Sequence, residues 1–305
     1  MNSYHNSCMR KFKITIFESY NNNLKMRSRR QFIKVSGLGI AGAATTKIDF
    51  PVKKTGSRTK KTIVPFELGI ASYTFRKFSL EDTLAMTKRL NIKNITFKDY
   101  HLPLTASDED IANTISKVQQ AGINLYGGGV IYMNNETDVD NAFEYAKKAG
   151  MKVIIGAPAY ELLALIDKKV KEYDISVAIH NHGPGDKLFP NLESIFSKIS
   201  TLDHRIGICH DIGHTQRFGN DPVKDTEKYL DRILDFHIKD VTAASTEGTT
   251  CEMGRGVVDI SGIYKVLIKN NWHGKTSFEF EKDENDPLPG LAESVGYVRG
   301  VLKML

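Results

Sequence analysis

The chain has 305 residues, enough for one large α/β domain or two smaller ones, and its 41% hydrophobic and 26% charged composition is that of an ordinary globular protein. No apolar run is long enough to span a bilayer as a helix. The net charge of +6 is unevenly placed: residues 1–60 hold thirteen Lys/Arg against two Asp/Glu, a net of +11, which leaves −5 on residues 61–305. An acidic body lacks the basic face of a phosphate-backbone binder, so no nucleic-acid partner is expected.

At the N-terminus, Ser28-Arg29-Arg30-Gln31-Phe32-Ile33-Lys34 has the form of a twin-arginine signature, and a weakly apolar, Gly/Ala-rich run follows at 35–44. Ala41-Gly42-Ala43 supplies small residues for cleavage, and Met26 offers a second start. The reading is a signal region over 1–44, a Lys/Thr-rich linker over 45–63 and one folded domain over 64–305. It predicts export to the periplasm; a basic tail with an incidental arginine pair would leave the protein cytoplasmic. Three cysteines (Cys8, Cys209, Cys251) make no disulfide framework.

From Phe66 onward, short β-like runs begin near Glu67, Ile92, Ile123, Met151, Ile175, Arg205, Ile233 and Thr276. Segments between them, such as 80–90, 108–121 and 139–149, carry helical spacing, and Gly122 and Gly150 stand where helix C-terminal glycines belong. Eight β-runs, each followed by a helix, predict a (β/α)8 TIM barrel. A doubly wound open sheet is the alternative, but the first βα turn has no glycine-rich phosphate loop.

Parity within the strands locates a site, because alternate residues face opposite sides of a sheet. In Val177-Ala178-Ile179-His180 the large apolar pair faces the helices, which leaves Ala178 and His180 inside. The same rule puts Gly207, Cys209 and Asp211 inside on the next strand, His237 and Lys239 on the one after, and Glu279 and Glu281 on the last. Isolated inward charges cost several kcal/mol unless paired or ligated, so four strands ending this way at one mouth read as a built site. His180, Asp211, His237 and Glu279 offer two nitrogen and two oxygen ligands, a set that suits Mn, Zn, Fe or Co. Taken singly, His180 reads as a core histidine, Asp211 as a helix cap and Glu279 as a surface charge.

The segments "VAIHNHG", "IGICHDIGH", "FHIKD" and "SFEFE" resemble the xylose isomerase-like barrels of the sugar phosphate isomerase/epimerase family, over most of residues 66–305. The resemblance implies one divalent metal held by successive strand ends that usually supply Glu, Asp, His and Glu. Asp211, His237 and Glu279 fall on the last three positions. His180 stands where the first glutamate is common, with His182 as the alternative ligand, and His214 matches a histidine at the substrate or beside the metal. The implied activity is a sugar isomerase or epimerase that removes a proton next to a carbonyl through a metal-stabilised enediolate, with Glu279, His180 and His214 as the catalytic set.

The two-His set carries two negative charges where the family's carries three, which makes the metal a stronger Lewis acid; histidine also suits acid–base work near neutral pH, so a lyase acting on an oxidised sugar is open too. Lys98, His101, His182, Arg217 and Lys239 are the candidates for substrate oxygens. The expected partner is a small carbohydrate, and a homo-oligomer closing the mouth is compatible with the fold. An abasic-site endonuclease and a non-catalytic sugar-binding protein are the competing classes.

Overall fold

The structure is a computed structural model that describes residues 64–305; the signal region and linker expected over 1–63 lie outside the described residues. The alternating runs resolve into a closed parallel barrel. Its strands are β1 (Glu67–Ala71), β2 (Asn94–Phe97), β3 (Asn124–Met133), β4 (Val153–Pro158), β5 (Ser176–His180), β6 (Ile206–Asp211) and β7 (Ile233–Ile238). A two-residue-strand hairpin, β8 (Asp240–Val241) with β9 (Thr250–Cys251), follows β7, and β10 (Lys275–Phe278) then closes the barrel between β7 and β1. The expected (β/α)8 barrel is therefore observed, and every strand start lies within two residues of its expected position.

The outer layer comprises α1 (Leu80–Arg89), α2 (Asp108–Gln120), α3 (Glu136–Lys148), α4 (Leu163–Tyr173), α5 (Leu192–Ile199), α6 (Ile212–Arg217), α7 (Pro222–Tyr229), α8 (Ile260–Lys269) and α9 (Leu288–Met304). Side-chain oxygens of Ser79, Ser107 and Asn135 accept backbone N–H bonds at the starts of α1, α2 and α3, satisfying donors that have no partner inside the helix. Gly122 and Gly150 follow α2 and α3 with φ of 71° and 68°, the left-handed conformation that a side chain disfavours. No helix among the described residues is long and apolar enough to cross a membrane.

The buried side chains separate into two layers, as the parity of the strands requires. Val177, Ile179, Ile206, Ile208, Phe236, Ile238, Phe278 and Phe280 belong to the large core between sheet and helices. Tyr126, Val153, Ile155, Ala178 and Cys209 form a second, small cluster in the barrel interior. This packed plug floors the barrel beneath the C-terminal ends of the strands, where polar side chains take over. Trp272 is a packing residue, as expected near the last strand: its ring meets Phe236 edge-on and its Nε1–H donates to the Ile233 carbonyl at 3.0 Å.

Candidate metal centre

β5, β6 and β7 and the residue following β10 bring His180, Asp211, His237 and Glu279 together. Each offers a donor atom, and the four lie within 4.8 Å of one another. All four are buried, with 5% exposure at most. His180 Nε2 is 3.4 Å from Asp211 Oδ2, and His237 Nδ1 is 3.2 Å from Glu279 Oε1. Both ring nitrogens of His180 and of His237, together with Asp211 Oδ2, are buried without a hydrogen-bond partner. Buried polar atoms are nearly always satisfied, so two unpaired imidazoles facing a pair of carboxylates fit a cation-binding group better than a structural polar core. Cys209 Sγ adjoins the two histidines in the same way and provides a softer donor from the barrel floor.

Asp211 carries two roles at once. Its Oδ1 accepts the backbone N–H of His214 at 2.7 Å and caps α6, while Oδ2 faces the cluster. Asn181 holds this residue in register: its Oδ1 accepts the Asp211 N–H at 2.8 Å and its Nδ2 donates to the Asp211 carbonyl at 3.1 Å. Burial pushes His180 down to about 3, which keeps its imidazole neutral and its lone pair available to a metal. His182 and His214 are also lowered, in each case chiefly by burial.

Lys239 sits inside this group. Its Nζ donates to Glu279 Oε2 at 2.6 Å and to Glu281 Oε1 at 2.9 Å, and lies 3.1 Å from Asp211 Oδ2. Burial works against ionisation of Glu279, but the Lys239 ammonium and His237 outweigh it and hold the carboxyl well below the usual range. Burial likewise disfavours the ammonium, and Asp211, Glu279 and Glu281 keep Lys239 charged. Nζ thus engages oxygens of three carboxylates.

Above the cluster opens a cavity of about 220 Å³ lined by Tyr73, Lys98, Val130, Tyr132, His180, His182, His214, Glu279 and Glu281. Five of the residues singled out from sequence, Lys98, His180, His182, His214 and Glu279, therefore face one space. Lys98 Nζ donates to the Val130 carbonyl at 2.5 Å, and the His182 ring stacks on Tyr132 with centroids 5.9 Å apart. His182 stands outside the four-donor group that includes His180, with its ring centroid 4.5 Å from that of His180. Arg217 lies next door, in a cavity of about 420 Å³ that it shares with Lys239 and Glu281.

His101 does not reach the site. It is buried, with Nε2 2.9 Å from Thr83 Oγ1 and Nδ1 2.9 Å from Ser72 Oγ, so both nitrogens are consumed in fixing the loop after β2. Asp240, on the opposite parity to Lys239, is structural: its carboxylate accepts the N–H groups of Val241, Gly254, Gly256 and Val258. Tyr73, Tyr132 and Asn181 carried no signal in the strand pattern, because they stand in the 3-10 turn after β1, near the end of β3 and just after β5.

Residues 75–301 match the family described as xylose isomerase-like TIM barrel. The chain belongs to that family. Among curated relatives, an inosose dehydratase of Clostridium beijerinckii is 22% identical over 287 residues, covering 89% of this chain and 87% of the relative. Among solved structures, an uncharacterised protein from Parabacteroides distasonis is 25% identical with a TM-score of 0.61, covering 77% of this chain and 99% of its own. The IolI protein, solved with a bound zinc atom, is 15% identical with a TM-score of 0.65, covering 78% and 98%. The two solved structures share the fold described above.

Proposed function

We propose that the protein is a divalent-metal-dependent enzyme that removes a proton from the carbon next to a carbonyl in a sugar or related polyol. The observation that carries this reading is the buried group of His180, Asp211, His237 and Glu279, whose two imidazoles have no hydrogen-bond partner, at the floor of a polar cavity in the barrel mouth. A divalent ion held there supplies Lewis acidity toward a carbonyl or neighbouring hydroxyl oxygen. Lys98 reaches the same cavity and is placed to donate to a substrate hydroxyl.

Proton removal falls to His182 and proton delivery to His214; both line the cavity, and burial favours their neutral forms. Arg217 donates from Nη1 to His214 Nδ1 at 3.3 Å. Since a guanidinium only donates, the lone pair of His214 is on Nδ1 and its proton on Nε2. The imidazole is thereby held in one tautomer, with Nε2 3.9 Å from Asp211 Oδ2.

After the proton leaves, two outcomes share these residues. Reprotonation at the same or the adjacent carbon gives epimerisation or isomerisation. Expulsion of the hydroxyl on the β-carbon, with one proton delivered to it, releases water and leaves an unsaturated ketone. The curated relatives named inosose dehydratase favour loss of water, as does the presence of His180 where a second flanking glutamate would serve two-base epimerisation.

Incubation of the metal-loaded protein with inosose, ketoses and keto-glycosides in heavy water, followed by NMR, tests the reading. Metal-dependent deuterium uptake or an unsaturated product is expected with at least one class. Neither signal with any of them, from protein shown to hold metal, contradicts it.

A further inference from the structure

The cavity over the metal centre is small. At about 220 Å³ it falls below the roughly 300–1,000 Å³ typical of pockets that enclose a whole ligand. A second cavity of about 420 Å³ adjoins it, and Glu281 lines both. The two differ in charge. The second wall carries Arg217, Lys239 and Lys282 against a single carboxylate, Glu281.

The three cations are not equivalent. Lys239 is neutralised by Glu279 and Glu281, and Lys282 donates to Glu252 at 2.7 Å. Arg217 has no carboxylate within ion-pair distance among the described residues. Of its five donors, one meets His214 Nδ1 and one the Thr246 carbonyl at 3.1 Å. Its Nε is buried and has no partner. Thr249 and Thr250 add hydroxyl and backbone groups on the facing wall.

From this we infer that Arg217 forms an oxyanion subsite, and that the substrate carries a carboxylate or phosphate group away from the reacting carbon. This rests on the proposed sugar chemistry for the neighbouring cavity and narrows its substrate to acidic sugars or polyols. A forked guanidinium matches the planar or trigonal oxygen array of either anion. Because Arg217 also fixes His214, an anion seated there couples binding to the orientation of a group beside the metal centre. The hairpin carrying Thr249 and Thr250 forms the outer wall.

The test uses the full-length, metal-loaded protein and three probes: glucose, glucuronate and glucose 6-phosphate, with affinity measured by NMR titration. Glucuronate or glucose 6-phosphate should bind about tenfold or more tightly than glucose, as a charge-assisted pair adds. Which of the two is preferred identifies the anion as carboxylate or phosphate. Arg217→Gln should remove the preference, so that both anions bind no more tightly than glucose does to the same variant, while metal content stays unchanged. Equal affinities, a preference that survives Arg217→Gln, or no binding of either anion overturns the subsite. Failure of deuterium uptake with preserved anion binding would instead strike the proposed chemistry and leave the subsite standing.

Discussion

Asp211 divides its two oxygens between the fold and the site: Oδ1 accepts the His214 N–H at 2.7 Å, and Oδ2 is buried 3.4 Å from His180 Nε2 and 3.1 Å from Lys239 Nζ. Both readings available from sequence, helix cap and candidate ligand, meet on one side chain. The division is separable by mutation. Asp211→Asn keeps a good capping residue and should leave apo stability within about 1 kcal/mol of wild type while abolishing metal binding. Asp211→Ala should lose the metal and about 1 kcal/mol more than Asp211→Asn. Chemical denaturation of metal-free protein and elemental analysis check the two halves; equal stabilities would deny the cap.

Lys239 is the second group whose role splits. With the ammonium gone, Glu279 and Asp211 keep buried charges without a counter-ion, and breaking a buried pair costs about 3–5 kcal/mol. Lys239→Met should therefore destabilise the metal-free protein strongly. Added zinc or manganese should raise its melting temperature more than that of wild type, because the ion restores the lost positive charge and binding stabilises only the folded state. Equal melting temperatures for the metal-free forms would show that Lys239 does not hold the carboxylates.

The strand pattern disclosed the barrel and its interior because both depend on periodicities of two and about 3.6, which survive in sequence. Val177 and Ile179 against Ala178 and His180 sufficed to tell the faces of β5 apart, and the separate interior cluster follows from it. His101 was misplaced because parity ends with the strand: beyond Phe97 the chain turns, and Thr83 and Ser72 claim the imidazole. Asn181 was invisible for a related reason, as its value lies in two backbone bonds to a residue thirty positions away. Nor does sequence spacing reveal that Lys239 meets three carboxylates, since those come from two other strand ends.

A buried histidine outside the centre adds to the acid sensitivity of the fold. His210 is fully buried, 3.0 Å from Thr215 Oγ1 and 3.3 Å from Thr226 Oγ1, and burial pushes it down to about 3. Its unfolded value is about 6.5. Between these values the unfolded chain takes a proton that the folded chain refuses, so stability falls as pH drops below about 6.5 and continues to fall toward 3. The loss should approach about 1.4 kcal/mol per pH unit for this residue. Denaturation of metal-free protein between pH 7 and 5 should show the slope, and His210→Gln should make it shallower; an unchanged slope would place the titration elsewhere.

Export is a separate proposal, carried by Arg29 and Arg30. Replacing both by lysine should hold the protein in the cytoplasm of its host, read by fractionation; unimpaired export would exclude a functional twin-arginine signal.

The central claim is that His180, Asp211, His237 and Glu279 hold one divalent ion. Elemental analysis of the purified protein after exposure to Mn, Fe, Co and Zn, with His237→Ala and Glu279→Ala beside it, tests it directly. The account predicts about one ion per chain in wild type and a loss of affinity beyond about 100-fold in each variant, more than removal of a supporting group would cause. A wild type that takes up no metal, or variants that retain it in full, would contradict the account.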